Sequence, residues 1–173
     1  TQLLAIGRSN PLKNFDLTAK AIKLLKSKPK VKLFGIEPRL GKLLNIQYIY
    51  KPTDLEVAKL YNESEIFLQT SVHEGFCLPV LEAMACGCAV ITTDSHGNRD
   101  FCIDKKNCLV VSNSDETDLV KKVDILLSDS NLRKKLVEQG LLTAEKFRWE
   151  GKIDQLEIFY QNLSQKFGNM VES

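Results

Sequence analysis

A chain of 173 residues, 43% of them hydrophobic and 27% charged, has the length and balance of one globular domain with a full core. Its 24 basic and 22 acidic residues leave a net charge of +2, with no block of five or more basic residues, so nucleic acid is not an expected partner. Five cysteines without a Cys-x-x-Cys pair, and only two histidines, argue against zinc and for reduced, mostly buried thiols in a cytoplasmic protein.

The first strand candidate, "LLAIG" (3–7), opens almost at once and runs into the loop "GRSNPLKN". In "FDLTAKAIKLLKSK" (15–28), Phe15, Thr18, Ile22 and Leu25 recur at helical spacing and Pro29 follows the end. "VKLFG" (31–35) and "IQYIY" (46–50) are the next strand candidates. "DLEVAKLYNES" (54–64) is a predicted helix with Asp54 as its N-cap. "EIFLQT" (65–70) leads into "SVHEGFC", and Pro79 suits the first turn of a helix that runs to about Ala85 and is closed by Gly87. "AVITT" (89–93) and "CLVV" (108–111) flank the loop "DSHGNRD". Three helices are predicted to finish the chain: 114–129, 130–147 and a tail from Trp149, with Trp149, Ile153, Leu156 and Phe159 on one side.

Strands alternating with helices indicate an α/β fold: a Rossmann-like, doubly wound parallel sheet of about six strands with helices on both faces. Ligands in such sheets bind beyond the carboxyl ends of the strands, so the loops after the strands carry the functional reading.

After the fourth strand, Glu74 precedes Gly75, and the helix opening near Leu78 offers free N–H groups and a dipole to an anion. Glu82 lies one turn inside that helix. A carboxylate is a poor neighbour for phosphate and a good acceptor for sugar hydroxyls. A nucleotide diphosphate sugar, with hydroxyls at both ends and phosphates between, therefore suits the pair. Taken singly, Glu74 also reads as a solvated loop acid and Glu82 as an ordinary first-turn acid. In the first loop, Arg8 and Lys13 are placed to neutralise a diphosphate, Arg by two-pronged contact and Lys as a point charge. No Asp-x-Asp occurs, so the simplest metal-carrying pair is missing.

"EGFCLPVLEAMACG" resembles the Glu-x7-Glu signature of retaining glycosyltransferases with the GT-B fold, in the GT4 group. "IGR…K" is similar to the family's Gly-Arg…Lys loop, "LYNESEIFLQTSVHEGFCLPVLEAMACGCAVITTD" matches nearly position by position, and "NCLVV" and the closing helices also fit. The resemblance implies that Glu74 contacts the donor sugar beside the reacting carbon, that Glu82 binds the ribose, and that Arg8 and Lys13 hold the diphosphate. It implies that the backbone of Gly75, Phe76, Cys77 and Leu78 completes the pocket, that the base meets the loop near Tyr50 to Pro52, and that no cofactor or active-site metal is needed.

His96-Gly97 stands where the family often has two glycines, Arg99-Asp100 stands in place of Pro-Glu, and Cys77 occupies a position often filled by glycine. His73 and His96 read as structural loop residues. The resemblance further implies that residues 1–173 form the donor-binding, C-terminal half of the fold, that an acceptor-binding domain precedes it, and that residues 149–173 are a helical tail. The acceptor would be a sugar or glycolipid chosen by that other domain, in a polysaccharide or lipopolysaccharide pathway. The whole enzyme would be cytoplasmic or peripheral at the inner face of the membrane. Alone, the chain is expected to bind donor weakly and transfer little. The competing reading is a nucleotide-binding module without transferase chemistry; an epimerase or a receiver-like scaffold fits the residues less well.

Overall fold

The computed structural model describes residues 2–112 and 115–171. Six parallel strands, β1 (Gln2–Gly7), β2 (Lys30–Gly35), β3 (Gln47–Tyr50), β4 (Ile66–Gln69), β5 (Ala89–Thr93) and β6 (Leu109–Val111), form one sheet in the order β3-β2-β1-β4-β5-β6. The helices are α1 (Phe15–Leu24), α2 (Arg39–Leu44), α3 (Asp54–Asn62), α4 (Leu78–Ala85), α5 (Glu116–Ser128), α6 (Ser130–Glu145) and α7 (Trp149–Val171). This is the expected doubly wound α/β sheet. The six predicted strands lie within one residue of the observed ends.

The strands read as nearly continuous apolar runs because both faces of the sheet are covered. Leu3, Ala5, Leu33, Ile66, Leu68, Ala89 and Ile91 pack with Leu17 and Ala21 of α1 and with Leu119 and Val123 of α5. The intervening residues Leu4, Phe34, Phe67 and Val90 face the other way, onto Tyr61 of α3 and Val80 and Met84 of α4. Each strand thus alternates between two cores.

Several local expectations need correction. Helix α1 ends at Leu24, short of the expected Lys28, because Leu25 turns extended and buries its side chain in the core. The short α2 was not predicted; six residues containing Gly41 are too few to show a helical period. Thr53, not Asp54, caps α3. Its hydroxyl accepts the Glu56 N–H while the Glu56 carboxylate accepts the Thr53 N–H, a reciprocal box that leaves Asp54 as the first helical residue. Residue 114, where the helix corresponding to α5 was predicted to start, and residues 172–173 of the tail lie outside the described residues. On α7, Trp149, Ile153, Leu156 and Phe159 all stand exposed. Among the described residues no helix is long and apolar enough to cross a membrane.

The chain leaves β1 toward β2 on one side and leaves β4 toward β5 on the other. The order reverses between these two neighbours, which opens a crevice at their carboxyl ends. The loops after β1 and β4 border it.

Candidate functional site

The crevice leads into a cavity of about 580 Å³ at the carboxyl ends of β1, β2 and β3, walled by α3 and α4. Arg8 and Lys13 enter it from the β1 loop, Gly35 and Ile36 from the end of β2, Lys51 and Pro52 from the loop after β3, Tyr61 from α3, Pro79 and Glu82 from α4, and Cys86 from the cap at its end. Three residues singled out in the sequence, Arg8, Lys13 and Glu82, thus share one space. Lys51 and Pro52 lie in the stretch expected to meet a base.

Lys13 ends a single 3₁₀ turn, Pro11–Lys13, capped by the Asn10 side chain, which accepts the Leu12 N–H at 2.8 Å. Two contacts tie this loop to the end of β4. The Val72 N–H donates to the Leu12 carbonyl at 2.8 Å, and the Thr70 hydroxyl donates to the Asn14 carbonyl at 3.1 Å. The tie brings Lys13 Nζ to 2.7 and 2.8 Å from the two carboxylate oxygens of Glu74, 61 residues away. Gln69 Nε2 at 2.9 Å and Ser71 Oγ at 2.6 Å also donate to Glu74 Oε1. Gln69 and Ser71 are buried and were not singled out from the sequence; polar residues closing an apolar strand were the available signal.

Glu74 is therefore a largely buried carboxylate with a full set of donors. It does not line the cavity but meets it through Lys13. Gly75, Phe76, Cys77 and Leu78 are likewise absent from the cavity lining; that wall is made by the next turns of α4. Gly75 has open space around the position of a Cβ and is not in the left-handed region; the left-handed residue of this turn is Cys77, at φ 66°. This conformation is one that glycine adopts without strain and a side chain adopts at a cost. Burial pushes the Cys77 thiol up to about 11, with Glu74 adding to the effect, so the thiol stays neutral near pH 7. Phe76 is partly exposed and packs against Phe101 and Phe147.

The loop after β5 clamps Glu74 from the other side. The Glu74 N–H donates to the Ser95 carbonyl at 2.9 Å, and a Cβ on Gly97 would lie 2.5 Å from the Glu74 carbonyl oxygen. Only a residue without a side chain fits that approach. The His73 and His96 rings touch each other, and Asp94 pairs with Arg99 at 2.8 Å. Asp100 is exposed. Among the described residues no three His, Cys, Asp or Glu side chains gather to hold a metal ion.

Glu82 stands partly exposed on the cavity wall, and its Oε2 accepts the buried Tyr61 hydroxyl at 3.4 Å. Burial raises its pKa; the Tyr61 bond opposes this and Asp54 adds to it. The folded state therefore holds this proton more tightly than the unfolded chain does. The corresponding stability is present below the ordinary value of 4.5 and is lost as pH climbs through the folded pKa. Glu82→Gln is expected to raise the melting temperature of the free chain near neutral pH, by a margin that grows as pH rises from about 4.5. Melting curves of both proteins at several pH values check this; a constant or negative margin contradicts it.

The family model described as "Glycosyl transferases group 1" matches residues 1–142. An uncharacterized glycosyltransferase of Methanocaldococcus jannaschii is 29% identical over 171 residues, covering 93% of this chain and 48% of that protein. The chain spans about half the length of the relatives it matches. Sucrose-phosphate synthase from Thermosynechococcus elongatus shares the fold with a TM-score of 0.86 at 22% identity, over 95% of this chain and 46% of that one. Anabaena HepE, solved in complex with UDP-glucose, does so with a TM-score of 0.79 at 16% identity, over 95% and 48%.

Proposed function

Since the chain belongs to the glycosyl transferases group 1 family, we propose that it is the donor-binding half of a two-domain enzyme, holding a nucleotide diphosphate sugar for transfer of the glycosyl group to an acceptor. One observation carries this reading. Two cations and a carboxylate, Arg8, Lys13 and Glu82, converge on a single cavity at the switch point of the sheet, with a second carboxylate, Glu74, joined to it through Lys13. The UDP-glucose bound by Anabaena HepE is a ligand of this shape.

In this scheme the base enters beside Lys51 and Pro52, the ribose hydroxyls donate to Glu82, and the diphosphate lies against Arg8 and Lys13. The sugar then lies toward Glu74, near Gly75, Phe76, Cys77 and Leu78. When the glycosyl bond breaks, negative charge builds on the departing diphosphate, and the two cations stabilise it, assisted by the first N–H groups of α4. The reaction retains configuration, as the Glu-x7-Glu resemblance to the GT4 group implies, and calls on no resident metal or cofactor. The acceptor, a sugar or glycolipid, is supplied by the other half. The setting is polysaccharide or lipopolysaccharide synthesis in the cytoplasm or at the inner face of the membrane.

Melting the chain with UDP-, GDP-, ADP- and dTDP-sugars tests the reading. The matching donor at a hundred times its Kd is expected to add about 2.7 kcal/mol of stability. Four flat curves overturn it. Alone, the chain is expected to show negligible transfer; turnover like that of a two-domain enzyme contradicts that part.

A further inference from the structure

Arg8 is the one residue between two anchored neighbours; one anchor comes from strand β3 and the other from the loop after β2. On one side, the hydroxyl of Tyr48, in edge strand β3, donates to the Gly7 carbonyl at 2.7 Å and accepts the Glu37 N–H at 2.8 Å. On the other side, Glu37 accepts the Ser9 N–H at 2.9 Å and the Ser9 hydroxyl as well. Arg39 completes the knot, donating to that hydroxyl and to Glu37, each at 3.1 Å. The Ser9 contacts hold the Glu37 carboxyl below the usual carboxylate range, so it stays charged near neutral pH. The Tyr48 ring needs bare backbone beneath it. A Cβ on Gly7 would lie 2.6 Å from Tyr48 Cε2, and one on Gly35 would lie 2.7 Å from its hydroxyl.

Neither Tyr48 nor Glu37 lines the cavity, whereas Arg8 does. A two-pronged guanidinium contact is sensitive to where the side chain is rooted, and its rotamer freedom opposes binding unless that root is fixed. We propose that Tyr48 and Glu37 are positioning residues for Arg8, setting how tightly the cavity holds the diphosphate of its ligand while leaving the nucleoside end untouched. The inference rests on the donor-binding reading above.

The test compares one nucleoside diphosphate, the tightest binder among UDP, GDP, ADP and dTDP, with its parent nucleoside by titration calorimetry. Tyr48→Phe keeps the ring over the glycines and removes only the hydroxyl. It is expected to weaken diphosphate binding about five- to tenfold and to leave the nucleoside unchanged. In an Arg8→Ala background the same change is expected to have no further effect, since what it positions is gone. Glu37→Ala is expected to repeat the loss, and Glu37→Gln, which still accepts from Ser9, to restore most of it. Equal losses for nucleoside and diphosphate, or additive losses in the double variant, overturn the inference and leave the donor-binding reading standing. If none of the four diphosphates binds, or if Lys13→Ala and Glu82→Ala bind as wild type does, the reading itself fails. Should Tyr48→Phe not fold, the Glu37 pair carries the same comparison.

Discussion

Glu74→Gln is expected to cut glycosyl transfer by about a hundred- to a thousandfold in the two-domain protein proposed above. The side chain keeps its size, and its remaining oxygen can still accept from Gln69 or Ser71. On the donor-binding proposal, what goes is the negative charge beside a sugar carbon that becomes positive as the diphosphate departs. Binding of the nucleoside diphosphate itself is expected to stay at wild-type strength or to tighten. In the wild type the Glu74 carboxylate takes two of the three N–H donors of Lys13, at 2.7 and 2.8 Å. An uncharged amide at position 74 competes less for that ammonium. Turnover and diphosphate affinity measured on the same preparations separate the two roles. Turnover near the wild-type rate would move Glu74 out of the chemistry and favour the reading of a binding module.

A second large effect is expected in the core. Phe67 lies on β4, between β1 and β5, is fully buried, and meets the Tyr61 ring edge-on at 5.2 Å. Phe67→Ala is expected to cost about 3–5 kcal/mol, a large part of the roughly 5–15 kcal/mol that holds a domain together. The loss combines the aromatic surface no longer removed from water, the ring pair with Tyr61 and the cavity left behind. Urea denaturation measures it as a shift in midpoint at nearly constant slope. A loss under about 1.5 kcal/mol would mean that the neighbours close over the gap. The effect would also reach the site, because the Tyr61 hydroxyl donates to Glu82. On the donor-binding proposal, a chain that stays folded is expected to bind nucleoside diphosphate less tightly.

The strands were legible because each is a short apolar run bounded by turn residues, and hydrophobic pattern acts locally. The Glu-x7-Glu stretch was legible for a similar reason: it is one contiguous segment whose strand, turn and helix follow one another. Thr53 was within reach too, since a threonine three residues before Glu56 is a capping pattern; Asp54 drew attention because it also favours helix starts. Nothing local marked the end of α1, where Leu25 leaves the helix to fill the core.

The amino-acid sequence by itself determined the order of elements, the two-faced burial of the strands and the family signature, because these depend on residue type and spacing along the chain. Only the tertiary structure decided that Lys13 reaches Glu74, that Glu82 and not Glu74 faces the cavity, that Tyr48 reaches across the intervening strand β2 to Gly7, and that the apolar face of α7 is exposed. Such pairings hang on strand order and register. In a parallel sheet these are set by crossovers that bring distant residues side by side, and no periodicity along a single segment records which partner arrives.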